Sequence, residues 1–149
     1  AAPHWDPYAS GMILGLTRAT SQAHIARAAL DSIAFQVADV LRAMESDARI
    51  PIQEIRVDGG IVYNNLLLQF QADLLDVPVI RSTSTELTGI GAAYLAGLAV
   101  GFWKNTQEIL SYWKVEKEFK ASMPREKMQK IYLKWQKAVE VTQQWEENN

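Results

Sequence analysis

Residues 55–65 read IRVDGGIVYNN and combine the end of a strand, a pair of glycines and the start of a helix. In open α/β sheets, ligands bind where strands end and helices begin. Gly59 and Gly60 lack Cβ atoms, so the backbone there lets a ligand approach closely, and free N–H groups at the helix start favour phosphate. Asn64 either caps the helix, which starts there or at Asn65, or donates to a ligand. A plain tight turn with an asparagine cap is the alternative interpretation.

The neighbouring segments predict further elements of an α/β domain. A helix is predicted over residues 22–46, with Thr20 or Ser21 as its N-cap. Its apolar stripe comprises Ile25, Ala29, Ile33, Val37, Leu41 and Met44. Residues 11–16 predict a strand because they form a short apolar run between glycines. The helix after the glycine pair is predicted over about residues 64–75, and its stripe comprises Leu67, Phe70 and Leu74.

The second half of the chain predicts one more strand and three helices. Residues 77–80 form the strand, and Pro78 places it at a sheet edge or at a strand start. A polar loop is predicted over residues 81–87, and a buried helix of small residues over 88–102. Thr106 is the predicted cap of a short helix through Trp113. The last helix starts at Pro124, and its stripe comprises Met128, Ile131, Trp135, Ala138, Val139 and Thr142.

Few strands are visible for a chain of this length. Two or three strands among 149 residues is below the usual number for a stable sheet. We therefore expect chain beyond this sequence to complete the sheet. The structure should show two core strands and exposed apolar edges, which would invite dimer contacts or aggregation.

Composition and charge narrow the classes of function. The residues are 48% hydrophobic and 21% charged, as in a soluble globular domain. A net charge of -2 does not favour nucleic acid or an anionic membrane, and no nucleic-acid partner is expected. Residues 104–137 carry 9 Lys or Arg against 4 Asp or Glu and are interpreted as a solvated helix face. The absence of cysteine excludes disulfides and thiolate chemistry.

Several site motifs are also excluded. Residues 87–103 are uncharged for 17 positions, fewer than the roughly 20 that a spanning helix needs, so no membrane span is predicted. His4 and His24 are far apart, and without cysteine no metal site is predicted. No P-loop motif occurs. The stretch from Gly89 resembles a dinucleotide fingerprint but has Tyr94 in place of the third glycine.

A set of motifs at consistent spacing resembles part of a known enzyme family. Residues 11–16 (GMILGL) are followed by a seven-residue spacer, then His24-Ile25, and then residues 28–31 (AALD). Further matching stretches are WDPY at 5–8, SIAFQ at 32–36, VDGG at 57–60, QFQAD at 69–73 and GAAYLAG at 91–97. On these residues the chain resembles the C-terminal portion of the FGGY carbohydrate kinases, and within that family the members that phosphorylate glycerol.

The resemblance implies an α/β fold of the actin-like, ribonuclease-H-like ATPase type. Residues 1–149 would be the C-terminal part of the nucleotide-binding domain, without its first sheet strands and without the N-terminal substrate domain. The resemblance also implies a nucleotide site, with a backbone contact from Gly60, a side-chain contact from Asn64, and Asp58 and Gly59 shaping the turn. It implies no catalytic residue in this segment, because the family's base is an aspartate that precedes the region matched here.

For the full-length protein, the resemblance implies transfer of the ATP γ-phosphoryl group to glycerol with Mg²⁺, giving glycerol 3-phosphate. Glycerol is expected to bind through the N-terminal domain of a cytoplasmic enzyme that forms a homo-oligomer. This segment alone is expected to be inactive. The alternatives are another sugar or polyol kinase of the family (for example a xylulokinase-like enzyme), a non-catalytic nucleotide-binding module, and a membrane-associated protein built on residues 87–103.

Overall fold

The structure, a computed structural model, describes residues 2–84 and 86–145. Its elements in chain order are α1 Gln22–Ala48, β1 Ile55–Val57, α2 Asn65–Leu75, β2 Val79–Ser82, α3 Leu87–Ala99, α4 Thr106–Leu110, β3 Val115–Phe119 and α5 Arg125–Gln144. A short 3-10 helix at Gly60–Tyr63 joins β1 to α2.

The three strands form one mixed sheet in the order β1-β2-β3. β1 and β2 run parallel, with Val57 opposite Arg81, so their carboxyl ends lie at the same edge of the sheet. β2 and β3 run antiparallel. Their register shifts between Arg81 and Ser82, which leaves Glu116 as an extra residue on β3. A bulge of this kind redirects the side chains beside it.

Helix α2 lies at the centre of the fold because it is apolar on two sides. One side packs on the sheet in a cluster of Val62, Leu68, Ala72, Val79 and Phe119. The other side packs against α1 and α5 in a cluster of Ala34, Phe35, Ala38, Leu67, Phe70, Leu74, Met128 and Tyr132. Burial of this apolar surface stabilises the layers by roughly 25 cal/mol for each Å² removed from water.

Polar contacts and stacked rings join α1 to α5. Buried Asp39 accepts a hydrogen bond from Tyr132 Oη at 2.5 Å and another from Trp135 Nε1 at 2.7 Å. The Phe35 ring stacks on Trp135, with centroids 5.0 Å apart. Because the carboxylate of Asp39 is fully partnered by these donors, its burial is compatible with a stable core.

The long helices begin close to their predicted bounds because their start residues act locally. Ser21 is the N-cap of α1, and its backbone N–H donates to His24 Nδ1 at 3.1 Å, which gives His24 a structural role. Pro124 stands at the N-cap of α5, whose predicted stripe is buried or half-buried. The cap of α4 is Asn105 and not Thr106, and that helix has only five residues.

The strand predictions are partly wrong. Residues 11–16 form no strand, because no described strand lies beside them to share hydrogen bonds. β3 is not predicted by the sequence, so the described sheet has three strands where two were expected.

β2 starts after Pro78, as predicted, but it is the central strand of the described sheet and not an edge. It also extends into the predicted polar loop, because Arg81 and Ser82 are buried in the sheet. Thr85 of that loop lies outside the described residues.

Two predicted apolar faces are buried only in part. On α1 the buried residues are Ala34, Phe35, Ala38 and Asp39, whereas Ile25 and Met44 of the predicted stripe are exposed. On α3, Gly97 is the one buried residue. Both corrections have the same reason, since the exposed residues of α1 and α3 lie outside the two buried clusters of the described residues. In that same part of the chain, none of the helices combines the length and the apolar character required to cross a membrane.

Candidate functional site

The turn after β1 has the open backbone that the sequence predicts. Gly59 has a φ of 91°, in the left-handed region that favours glycine. A Cβ built on Gly60 would meet nothing within 4 Å, so packing inside the protein does not require a glycine there. Asp58 and Gly60 are exposed and Gly59 is half-buried. The space beside Gly60 is therefore open to a ligand.

Asn64 acts as the N-cap of α2. Its Oδ1 accepts a hydrogen bond from Leu67 N at 3.1 Å, and its side chain is half-buried. This contact fixes the orientation of the amide, because the oxygen must point to the helix start. The other end of the amide, Nδ2, donates to no residue among those described. Capping and ligand contact are therefore compatible, since they use different atoms of the same side chain.

Arg81 of β2 holds this turn from the sheet. Its guanidinium is buried, with 6% of the side chain exposed. Nη1 donates to Val62 O at 2.6 Å, in the short 3-10 helix, and to Asn65 Oδ1 at 3.1 Å. Nη2 donates to Glu116 Oε1 at 3.1 Å, and Nε donates to the other oxygen of the same carboxylate. The pair is bidentate, which is the stronger and more specific geometry for arginine and carboxylate.

The two charges of this pair reinforce each other. The hydrogen bond that Arg81 donates to Glu116 raises the pKa of the guanidinium above its ordinary value, although burial works in the opposite direction. The same hydrogen bond lowers the pKa of the Glu116 carboxyl. Both groups therefore carry their charge at neutral pH, and the buried cation is compensated.

The end of β2 lies beside the glycine turn, because Val57 is paired with Arg81. Ser82 is buried, and its Oγ accepts a hydrogen bond from Ser84 N at 3.2 Å. The chain then enters α3 at Glu86, whose side chain makes no capping hydrogen bond. Helix α2 begins at this sheet edge, directly after the short 3-10 helix, and the positive end of its dipole favours an anion there.

Two hollows lie away from this edge. One of about 290 Å³ lies between α1, α5 and the N-terminal turn, and its lining includes Pro3, His4, Asp39, Tyr132 and Glu140. The other, of about 370 Å³, is lined by residues between positions 13 and 28. Neither contains the predicted site residues. Across residues 2–84 and 86–145, no group of three or more His, Asp or Glu could hold a metal ion.

The structure brings the four predicted site residues together but adds a support that the sequence does not reveal. One turn contains all four residues, because they lie close together in the sequence: Asp58, Gly59, Gly60 and Asn64. Arg81 lies in the predicted polar loop 81–87, but the structure places it in β2. Glu116 lies in the stretch 104–137, whose interpretation as a solvated helix face is wrong at residues 115–119 because they form β3. The sequence offers two indications of these residues. One is the cation that follows the apolar pair Val79-Ile80, and the other is an acidic residue in the alternating stretch 115–119. Neither indication specifies that the two residues meet.

Comparison with known proteins matches most of the chain. The model of the FGGY family of carbohydrate kinases, C-terminal domain, matches residues 1–100. A glycerol kinase of Trichlorobacter lovleyi is 55% identical over 144 residues, covering 97% of this chain and 29% of that protein. The chain thus spans about 29% of the length of this curated relative.

Solved structures agree with this match. The crystal structure of Plasmodium falciparum glycerol kinase with ADP has a TM-score of 0.85 at 36% identity, covering 95% of this chain and 28% of that one. A ligand-bound xylulose kinase from Lactobacillus acidophilus has a TM-score of 0.75 at 25% identity, covering 93% and 29%. The predicted α/β fold of the actin-like ATPase class is confirmed by these neighbours.

Proposed function

We infer the function from family membership, because the chain belongs to the FGGY family of carbohydrate kinases. We propose that it supplies the adenosine-binding part of an ATP-dependent kinase that phosphorylates glycerol to glycerol 3-phosphate. The observation that carries this proposal is the 55% identity to a glycerol kinase across 97% of the chain. The chain spans 29% of that relative. The reaction is therefore proposed for a longer protein that also contains the part corresponding to the rest of the relative.

In this proposal the nucleotide lies against the turn after β1. Gly60 contacts it through the backbone and Asn64 through Nδ2, while Asp58 and Gly59 shape the turn. Three observations support this placement: the open space beside Gly60, the unused donor of Asn64, and the start of α2 at this sheet edge. The Plasmodium falciparum relative, described with ADP, supports a nucleotide as the ligand.

The proposed reaction needs little covalent chemistry from the protein. A terminal hydroxyl oxygen of glycerol bonds to the γ-phosphorus of ATP, the bond to the bridging oxygen breaks, ADP leaves, and the hydroxyl proton passes to a base. The described residues bind and orient the adenosine end, and none is assigned as that base. Phosphoryl transfer depends mainly on such positioning and on charge stabilisation.

Mg²⁺ would neutralise charge on the phosphates of bound ATP. In kinases this ion is held mainly by the phosphates and by one or two carboxylates. No metal-ligand cluster occurs between residues 2 and 84 or between 86 and 145, so these residues do not fit a protein-held magnesium site. A cytoplasmic location is part of the proposal and agrees with a sequence without cysteine.

Replacing Asn64 by aspartate tests the nucleotide contact without removing the helix cap. Asp caps helices as well as Asn, but it lacks the Nδ2 donor and adds negative charge beside a nucleotide that is itself an anion. We expect Asn64→Asp to raise the Kd for ADP by about tenfold or more, measured by calorimetry. The control is Asn105→Asp, because Asn105 caps α4 through the same kind of hydrogen bond, at 3.0 Å to Glu108 N. Equal ADP affinity in the two variants would reject the proposed contact.

Adding a methyl group at Gly60 tests the backbone approach. Because a Cβ there meets nothing within 4 Å, Gly60→Ala should leave the free protein as stable as the wild type. We expect it to weaken ADP binding, since the new methyl group occupies the space proposed for the nucleotide. A variant with unchanged ADP affinity and unchanged stability would show that the nucleotide lies elsewhere.

Turnover with different acceptors separates the remaining candidate functions. The glycerol kinase neighbour is the more similar one, with a TM-score of 0.85 against 0.75 for the xylulose kinase. We therefore expect the full-length protein to release ADP from ATP with glycerol and not with xylulose. Turnover with xylulose alone would favour a sugar kinase. ADP binding without turnover on any polyol would favour a non-catalytic nucleotide-binding module.

We expect the 149 residues alone to be inactive. A turnover assay with ATP and glycerol measures this, and glycerol-dependent release of ADP by the isolated chain would contradict it.

A further inference from the structure

The support beneath the glycine turn consists of two residues from two different strands. Arg81 of β2 is buried and contacts the turn directly, whereas the Glu116 side chain, on β3, is 45% exposed. A buried cation without partners is costly, so the positions of its acceptors determine where the guanidinium rests. In this structure those acceptors are Val62 O, Asn65 Oδ1 and both carboxylate oxygens of Glu116.

The two acceptors in the turn flank the proposed nucleotide contacts. Val62 lies two positions after Gly60, inside the same 3-10 helix. Asn65 is the first residue of α2 and follows Asn64 directly. A guanidinium is planar and rigid, so one Nη1 atom bonded to both residues fixes the turn relative to the helix start. Any shift of Arg81 would therefore move the Gly60 backbone and the Asn64 amide together.

Glu116 determines the position of Arg81 from the opposite side. It is the extra residue of the bulge in β3, and this geometry turns its carboxylate toward Arg81. The turn itself accepts hydrogen bonds from Nη1 alone, so without Glu116 both Nε and Nη2 would lose their acceptors. The guanidinium would then move toward water to regain hydrogen bonds and charge compensation.

We propose that Arg81 and Glu116 are positioning residues for the nucleotide: β3, through the carboxylate of Glu116 and the guanidinium of Arg81, fixes the Gly60 backbone and the Asn64 side chain in their binding geometry. This inference rests on the proposed function, because it concerns the same turn. It differs from a purely structural role, in which the pair would only tie β2 to β3 and would affect stability but not nucleotide affinity.

Variants of Glu116 provide the test, because its partly exposed side chain can be changed without opening the core. We expect Glu116→Ala to raise the Kd for ADP by about 3- to 10-fold in the full-length protein. Glu116→Gln keeps one acceptor oxygen and should restore part of the affinity. In turnover assays the KM for ATP should rise while the KM for glycerol stays unchanged. The matched control is Glu118→Ala on the same strand, where the carboxylate contacts Lys120 Nζ at 3.4 Å and does not reach the turn.

A spectroscopic measurement reports the geometry without any ligand. In the free protein, Glu116→Ala should shift the amide signals of Gly60 and of the Asn64 side chain, and Glu118→Ala should not. If wild-type protein binds no ADP, the proposed function fails and this inference fails with it. If wild-type protein binds ADP and the two alanine variants bind it equally, or if the Gly60 and Asn64 signals do not move in Glu116→Ala, this inference alone is overturned.

Discussion

Gly97 lies in α3 directly beneath the indole ring of Trp103. A Cβ at this position would come within 2.0 Å of Trp103 Cζ3, so the ring would have to move. The same ring makes an edge-to-face contact with Tyr94, with centroids 5.1 Å apart. We expect Gly97→Ala to displace Trp103 and to destabilise this region by about 1–2 kcal/mol, measured as faster amide hydrogen exchange in α3.

Gly91 in the same helix provides the control for this prediction. A Cβ at Gly91 would meet nothing within 4 Å. Alanine is a better helix former than glycine, so Gly91→Ala should slow exchange in α3 and stabilise it by up to about 1 kcal/mol. Opposite effects of the same chemical change would show that the ring contact, and not helix propensity, makes glycine necessary at position 97. Effects of the same sign would contradict that account.

Tyr132 links stability to alkaline pH. Burial, and then the hydrogen bond to Asp39, raise its pKa to about 12, whereas an unfolded tyrosine titrates near 10. The unfolded chain therefore loses this proton first, so the contribution of Tyr132 to stability is complete below about pH 10 and is lost as the pH approaches about 12. We expect urea unfolding to show a steeper loss of stability above about pH 10 in the wild type than in Tyr132→Phe. The control is Tyr112→Phe, because Tyr112 is 55% exposed. This variant should lose stability with rising pH as steeply as the wild type does.

Among the elements, those with local determinants could be predicted from the sequence. The turn at Gly59 requires a residue that tolerates positive φ, and α2 carries its own cap at Asn64. β3 could not be predicted, because four of its five residues are exposed and its sequence resembles a solvated stretch. It exists because β2 supplies hydrogen-bond partners 35 positions away, as the contact from Arg81 to Glu116 illustrates. Long-range pairing of this kind leaves little trace in local periodicity.

The opposite error arises where an apolar stretch has no neighbour. Residues 11–16 have the composition of a strand, and Ile13 is nevertheless 62% exposed. The predicted stripe of α1 likewise includes Ile25 and Met44, which are exposed at 42% and 55%. Periodicity identifies which face can be buried, but burial also requires an element to pack against it. The glycine turn avoids this error because Gly59 itself adopts the positive φ and Asn64 itself caps α2, although Arg81 adds a contact from the sheet.

Over the whole molecule, the described residues leave large apolar side chains uncovered. Leu95 is 71% exposed, Phe102 74% and Val100 82%, all on α3 or just after it. Scattered apolar residues on a surface are ordinary, but contiguous ones mark surfaces that contact something else. These side chains lie on or after α3 and not on a strand, so the expectation of exposed apolar sheet edges stays a prediction. With a net charge of only -2, electrostatic repulsion between copies is weak.

This exposure predicts that the 149-residue chain associates with itself. We expect sedimentation velocity to show an average mass that rises with concentration over the micromolar range. Leu95→Lys should lower that association, because it places a charge at a side chain that is 71% exposed and removes apolar area. Gln107→Lys adds the same charge at an exposed polar position on α4 and should associate like the wild type. A chain that stays monomeric at all concentrations, or equal effects of both substitutions, would show that the α3 surface does not drive association.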